Sequence, residues 1–455
     1  MAKYQAYAEY KESGVEWLGE IPSHWEMWKL AHAYSEIGSG TTPSTTNEEN
    51  FEGDIPWVTT GELRENTIFD TKKKVSKKTL ELYPTLKKYP VGSVAIAMYG
   101  ATIGRLGIFG VEATTNQACC VMTISKVLNN DYLFYWLQAF KDEIVQLSSG
   151  GGQPNINQEK VASLRISAPN VKDQTQIANF LDHETTKIDH LIEKQQQLIE
   201  LLKEKRQAVI SHAVTKGLDP NVPMKDSGVE WLREVPEHWD VIAISKVTQK
   251  ITNGYVGPTR DILVEEGIPY VQATHIKKGK VNFDNAYFVR EKWSNDHAKS
   301  ILKKDDVLIV QTGAGTGDVG LVSESEEGFN CHALIILQPK KQQLSGSYLA
   351  YCLQSDYGYA TLYSIRTGGM HPHLNCGEVQ FVKISVPPLD EQVAISKFIE
   401  KNIQDFDQLI EKAKLAIQLM QERRTALISA AVTGKIDVRN WQAPSVTEAD
   451  TELSA

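Results

Sequence analysis

SGVEWLGEIPSHWE, Ser13 to Glu26, returns as SGVEWLREVPEHWD, Ser227 to Asp240, 214 residues later (227 − 13). A line of this length written twice points to a repeated module. Following the chain outward from it extends the match. GDIPWVTTGEL (Gly53 to Leu63) answers EGIPYVQATHI (Glu266 to Ile276), and VGSVAIAMYGATIGRLGIF (Val91 to Phe109) answers KDDVLIVQTGAGTGDVGLV (Lys304 to Val322), both at an offset of 213. After a small insertion, Pro154–Asn157 answers Pro372–Asn375, and RQAVISHAVTKGLD (Arg206 to Asp219) answers RTALISAAVTGKID (Arg424 to Asp437), both at 218. Ordered matches over most of each half make this a tandem duplication. Two copies are too few for a solenoid.

Bulk properties limit what each copy can be. The chain has 455 residues, 41% hydrophobic and 23% charged, as in soluble globular proteins. No apolar run approaches the roughly 18 residues that a membrane helix needs. The N-terminal stretch is too charged for a secretion signal. Five cysteines without paired metal spacing read as reduced thiols, so the expected setting is cytoplasmic. The net charge of −9 argues against a surface that is basic throughout, but not against a local basic patch such as TKKKVSKK, Thr71 to Lys78.

Each copy has the same internal order. About 150 residues of short β-like runs and turns come first, with SVAIAMYG and DVLIVQTG as apolar strands closed by glycine. A long helical segment follows. Asp173 with Gln176 fits an N-cap and its capping-box partner. Ile177, Leu181, Ile188, Leu191, Leu198, Leu202 and Val209 then fall near heptad a and d positions. Ile395, Ile399, Phe406, Leu409, Ala416, Met420 and Leu427 repeat the stripe in the second copy. Ile192, Ile199, Ile410 and Ile417 lie off that seam, and Thr185–Thr186 marks a possible bend.

Length constrains how the helices pair. A helix from about Gln174 to Val214 is roughly 60 Å long at about 1.5 Å per residue. The linker GLDPNVPMKDSG, Gly217 to Gly228, reaches at most about 40 Å. The second copy must therefore begin near the far end of the first helix, and its own helix (Gln392 to about Val432) returns antiparallel. The expected shape is a dumbbell with a pseudo-twofold axis. The fold class is α+β. Expected spans are 1–170 and 217–388 for the two heads, 171–216 and 389–438 for the helices, and 439–455 for a disordered tail. Two similar heads at a fixed separation suit a long, repetitive ligand such as duplex DNA.

These pieces resemble the specificity subunit of type I restriction–modification systems. The resemblance rests on GVEWLGEIPSHW, GDIPWV, YGATIGRLGI, PNINQEKVASLRISAPNVKDQTQIANFLD with ISVPPLDEQVAISKFI, and KRQAVISHAVTKG with RRTALISAAVTGK, in order and over roughly Ser13 to Asp437. The second copy departs from the pattern at TGAGTGDVG and GGMHPHLN. The resemblance implies that each head is a target-recognition domain reading one half of a split sequence in double-stranded DNA. It implies that the helices dock two modification (methyltransferase) subunits, joined for restriction by two motor–nuclease subunits. S-adenosylmethionine, ATP and Mg belong to those partners. No cofactor or metal is expected on this chain, and no catalysis.

The residues agree. Pro387–Pro388 is preceded by Val386 and followed by Leu389, unlike the Asn/Asp-Pro-Pro-aromatic loop of adenine methyltransferases, and reads as a turn before a helix. GTGDVG, Gly315 to Gly320, has dinucleotide-loop spacing, but strand-like sequence follows it where a helix is required. No Walker A motif is present.

Phosphate contacts call for cations, and base reading calls for side chains on turns. In the first head the candidates are Lys72, Lys73, Lys74, Lys77 and Lys78 for phosphates. Thr60, Glu62, Arg64, Thr102, Arg105, Gln153 and Asn155 are the candidates for bases. In the second head they are Gln272, Thr274, His275, Lys277, Lys278, Asp318, Arg366, His371 and His373. Three other readings remain open at this level: a two-headed adaptor between protein partners, an enzyme with an unrecognised site in one copy, and the specificity subunit of a fused restriction–methylation enzyme.

Overall fold

The computed structural model describes residues 4–148, 155–283, 287–368 and 372–443. Gln153 and His371 lie outside the described residues. The chain divides into one unit of Met1–Gln195 with Leu415–Ala455 and a second of Gln196–Lys414. Neither boundary falls at the linker: each unit takes in part of both long helices.

In the first unit, among the described residues, the main sheet runs Ile37–Ser39, Cys119–Met122, Val94–Ala97, Leu106–Phe109, Asn66–Ile68. A smaller sheet sets Ile55–Val58 between Thr114–Thr115, which is parallel to it, and Lys74–Val75, which is antiparallel. The apolar run at Val94–Ala97 is buried on both faces. Val94 and Ile96 meet the helix-side core with Leu133 and Trp136, while Ala95 and Ala97 meet Val58, Leu63 and Phe109. A strand covered on both faces reads as a continuous apolar run. The second unit repeats this. Its sheet runs Thr248–Asn253, Leu334–Pro339, Val307–Val310, Val319–Leu321, Gly279–Val281, Ile276–Lys277. Val307 and Ile309 face one core, Leu308 and Val310 the other. GTGDVG leads into the strand Val319–Leu321, not into a helix.

The repeated opening line makes a small hairpin whose tryptophan seals the end of a long helix. Tyr10–Glu12 pairs with Glu20–Pro22, and Met224–Asp226 with Glu234–Pro236. Trp25 and Trp239 are fully buried. A Cβ on Gly434 would lie 3.2 Å from Trp25, and one on Gly217 the same distance from Trp239. Both glycines are left-handed, with φ of 70° and 78°, the conformation that ends a helix at least cost.

The long helices are Val171–Lys216 and Leu389–Val432. The first starts earlier than expected. Asn170, not Asp173, is its cap: its Oδ1 accepts the Asp173 amide at 3.0 Å, and its Nδ2 donates to the Asp173 carboxylate at 3.0 Å. Gln176 instead donates to the carbonyls of Val438 and Trp441. Thr185 makes no break, because its buried hydroxyl donates to the Leu181 carbonyl at 2.7 Å within an unbroken helix.

Within each unit the two helices run antiparallel. In the first unit Gln176 meets Val438 and Asp189 meets Arg424 at 3.0 Å. In the second, Arg206 lies 4.0 Å from Asp407, and Gly217 packs beside Glu391. The seam differs in phase from the expected one beyond its first turns. Burial follows Leu181, Thr185, Ile188, Ile192, Gln195, Ile199, Leu202 and Arg206 in alternating steps of three and four, and the second helix repeats this from Ile399 to Arg424. Ile199 and Ile410 are therefore buried, while Leu191, Leu198 and Leu409 are 41%, 42% and 47% exposed. Leucine and isoleucine one position apart are equally apolar, so composition alone left the phase open.

The tail also differs from expectation at its start. Trp441 packs edge-on against Phe180 at 5.5 Å, and Arg439 pairs with Asp437 at 2.6 Å.

One buried acid separates the copies. Asp306 stands where the first copy has Ser93, at the 213 offset. Burial pushes its carboxyl up to about 6, although the Lys303 amide and Gln338 side chain donate to it at 2.9 and 3.2 Å. The folded chain thus holds this proton more tightly than the unfolded chain, whose carboxyl titrates near 3.9. The contribution of Asp306 to stability is fully present below about pH 4 and is lost as pH rises through 6. Asp306→Asn is expected to raise stability at pH 7.5 by about 2 kcal/mol and to change little at pH 4. Denaturant unfolding at the two pH values checks this.

Candidate nucleic-acid interface

Strand pairing gathers five separate loops in each unit, through corresponding hydrogen bonds. In the first unit the Thr41 amide donates to Thr115 at 2.9 Å, Asn116 to Val58 at 3.0 Å, and Ile156 to Met98 at 3.0 Å. In the second, Tyr255 donates to Cys331 at 2.9 Å, His332 to Val271 at 2.8 Å, and Leu374 to Gln311 at 2.9 Å. A bridge ties Tyr99 to Asn155 in one unit and Thr312 to His373 in the other. The 213 and 218 offsets of the sequence meet at this bridge. The first crossing needs glycine: a Cβ on Gly40 would fall 1.8 Å from the Thr115 carbonyl oxygen, and one on Gly254 2.7 Å from that of Cys331.

The loop after the IPWV and IPYV strands holds several expected readers, and two of them bind their own turn. Glu62 accepts the Thr59 amide at 2.8 Å, together with its hydroxyl. His275 Nδ1 accepts the Gln272 amide at 2.9 Å, and its ring is only 4% exposed, packed against Phe283 and Tyr287. These side chains stand 213 apart and do the same work: each satisfies the amide that opens a tight turn. Both hold the loop; His275 is buried there, while Glu62 is half-exposed and engages only Oε2. The Gln272 side chain in turn accepts the His275 amide. What the turns present is half-exposed Thr60 and exposed Thr274. Arg64 is exposed, with Nε donating to the Gly61 carbonyl at 3.2 Å. It lines a shallow depression with Asn66, Asp70 and Lys72.

The glycine turns differ in chemistry. In the first unit Thr102 donates to the Tyr99 carbonyl at 3.3 Å, and Arg105 is half-exposed on the same turn. In the second, Arg366 donates to the Thr316 carbonyl, lies 4.6 Å over the Tyr363 ring, and stands opposite Asp318. Burial raises the Asp318 carboxyl, and Arg366 opposes that rise. His373 is exposed, with Nε2 3.0 Å from the Thr367 hydroxyl. Asn155 is exposed on the matching loop.

The lysine run is divided by its surroundings. Lys74 pairs with Asp70 at 2.9 Å and Lys78 with Glu49 at 3.7 Å. Lys73 sits 4.8 Å over the Phe51 ring. Lys72, Lys73, Lys77 and Lys78 are exposed. Lys277 and Lys278 lie exposed on the turn between Ile276–Lys277 and Gly279–Val281, and Lys278 acts on the Glu411 carboxylate of the second long helix.

Two loops escaped sequence reading. Residues 41–42 and 116–117 flank the first crossing, and residues 255–256 and 332–333 the second. The second set carries rings: Tyr255 packs against Trp293 and His297 at 5.0 Å each, and Tyr270 lies 6.0 Å from His332. Gly40 and Gly254, 214 apart, were the available signal. Among the described residues, no group of three His, Cys, Asp or Glu side chains is placed to hold a metal, and no helix is long and apolar enough to cross a membrane.

Comparison with known proteins agrees with this geometry. The family model for the type I restriction modification DNA specificity domain matches twice, over residues 22–201 and 236–419. The MjaVIII specificity subunit of a type I restriction enzyme from Methanocaldococcus jannaschii is 22% identical over 442 residues, covering 95% of this chain and 98% of that protein. The MjaIX specificity subunit from the same organism is 24% identical over 450 residues, covering 96% and 99%. One chain of a solved structure, described as the structural basis of complex assembly and conformational transition of the type I R-M system, shares the fold. Its TM-score is 0.72 at 15% identity, over 91% of this chain and 99% of that one. With two copies of the specificity domain filling most of its length, the chain belongs to the family of type I restriction–modification specificity subunits.

Proposed function

We propose that each head reads one half of a two-part DNA target, and that the chain carries this specificity to modification and restriction subunits without catalysing a reaction itself. The observation that carries this reading is the duplicated loop cluster: five loops held in corresponding places by corresponding hydrogen bonds, with different side chains at their tips. A shared frame with different tips suits two half-sites of unlike sequence. The readers by position are Thr60, Arg64, Thr102, Arg105, Asn155 and Gln153 in the first head. In the second they are Gln272, Thr274, Asp318, Arg366, His373 and His371. The lysines at 72–74 and 77–78, with Lys277 and Lys278, supply phosphate contacts. S-adenosylmethionine, ATP and Mg are assigned to the partner subunits, and the complex works in the cytoplasm.

The helix seam supports a place for the partners. Leu191 and Leu409, 218 apart, stand outside the buried positions. Exposed leucines at equivalent places on two helices suit two copies of one partner. We assign the outward leucine faces to two modification subunits, which two restriction subunits join.

Three measurements test this. Methylation-sensitive sequencing of host DNA with and without the chain is expected to show N6-methyladenine lost from one two-part motif with a fixed gap. An unchanged methylome, with an active methyltransferase partner expressed, favours the adaptor reading. Removing Lys73 and Lys77 together, as alanines, is expected to lower the slope of log affinity against log salt by about 2, without altering the motif. Leu191→Glu combined with Leu409→Glu is expected to weaken assembly with the modification subunit at least about tenfold, as burying an unpaired carboxylate costs several kcal/mol. Titration by analytical ultracentrifugation reads the assembly.

A further inference from the structure

In the first head, residues 41–42 and 116–117 meet at a junction of closely defined polar chemistry. Thr41 is fixed three ways. Its amide donates to Thr115 at 2.9 Å, its carbonyl accepts from Trp57 Nε1 at 3.1 Å, and its hydroxyl donates to Thr85 at 2.8 Å. Thr42 therefore leaves a rigid base. Across from it, Asn116 Oδ1 accepts the Ala118 amide at 3.1 Å, an Asx turn that presents Gln117 at its tip. Gln117 is exposed. The Thr42 hydroxyl donates to Gln117 Oε1. In this arrangement Oε1 faces Thr42 and Nε2 faces away from it.

A side-chain amide has two donor hydrogens and two acceptor lone pairs. With one lone pair taken by Thr42, Gln117 offers Nε2–H and one remaining lone pair on Oε1. The major-groove edge of adenine offers an acceptor, N7, beside a donor, N6. The two edges match. Guanine offers two acceptors there, N7 and O6, so Oε1 would face another oxygen. A freely turning amide relieves that mismatch by presenting its Nε2 hydrogens, and the Thr42 contact disfavours that turn. The second head has no such pair: the corresponding junction carries Tyr255, Val256 and His332.

We propose that Gln117, oriented by Thr42, reads an adenine in the half-site of the first head. This rests on the DNA-reading function proposed above and adds the residue and the base. The test is the N6-methyladenine motif written by the complete complex carrying Gln117→Ala or Thr42→Val. With Gln117→Ala, one adenine in one half of the motif is expected to become degenerate. Its preference over guanine should fall about tenfold or more, in line with one bidentate contact. The other half and the gap stay unchanged. With Thr42→Val the amide remains but is no longer oriented, and the same position is expected to admit guanine while still favouring adenine.

Three results overturn the proposal: a motif unchanged in both variants, a change at a position other than adenine or in both halves, or an equal fall at every site with the motif intact. Failure of the underlying function looks different, because the unaltered chain then directs no two-part methylation at all.

Discussion

Everything in this chain depends on how each head is closed. The buried hydroxyl of Tyr132 lies 2.6 Å from the Ser167 carbonyl and 3.2 Å from that of Val432, at the end of the second long helix. The buried hydroxyl of Tyr348 lies 3.1 Å from Ser385 and 3.3 Å from Val214, near the end of the first. Val214 and Val432 are 218 apart, the helix offset of the duplication. Each unit is therefore completed by the final turns of a helix that belongs, in sequence, to the other copy. Ile428, Ala430, Ala431 and Val432 sit in the first core, and Ile210, Ala213 and Val214 in the second. A single copy cut at the linker would expose one such apolar surface and lack the helix end that covers it. That is a physical reason for one chain to carry the module twice.

The start of each helix is locked just as firmly. The Gln174 side chain accepts the Asn129 amide at 2.7 Å and donates to the carbonyls of Val127 and Pro169 at 2.9 and 2.8 Å. Gln392 repeats the set with Ser345, Gln343 and Pro387 at 2.8, 2.9 and 2.8 Å. Both glutamines are fully buried. A buried amide that finds all of its partners holds one arrangement, since any shift leaves desolvated groups unpaired. These locks tie the head to its helix. A loop tip mounted on such a frame places its side chains with little freedom, which base reading requires.

Much of this was legible in the sequence, because duplication tests itself. A turn or apolar run seen at two offsets that hold over long distances is not accidental, and the strands at Val94–Ala97 and Val307–Val310 came from such pairs. The family came from the same ordered pieces. What was not legible had local causes. The seam moved by one position because isoleucine and leucine neighbours carry equal hydrophobic weight. Asn170 and Asp173 are both good caps, and only the backbone separates them. Glu62 and His275 were polar residues on turns, and residue type does not tell a side chain that holds a turn from one that faces a ligand. The junction of residues 41–42 with 116–117 was missed because its parts lie about 75 residues apart, and the antiparallel pairing of Ile37–Ser39 with Cys119–Met122 is what brings them together.

The same comparison separates frame from message. Where the copies agree in role, as at Gln174 and Gln392, Tyr132 and Tyr348, Trp25 and Trp239, or Gly40 and Gly254, the residue closes a core, locks a helix or permits a close crossing. At the loop tips they share a backbone position but not a side chain. Gln117 is replaced by an alanine, Ala333, whose φ of 46° is itself strained, and Thr42 by the exposed Val256. Arg105 in the first glycine turn becomes Asp318 in the second, 213 residues on, and there meets Arg366. Changes of this size in a core would cost several kcal/mol. At these tips they leave the hydrogen bonds beneath them intact, as the matching distances in the two units show. The frame therefore tolerates a change of message, and one fold holds two different recognition surfaces on a single chain.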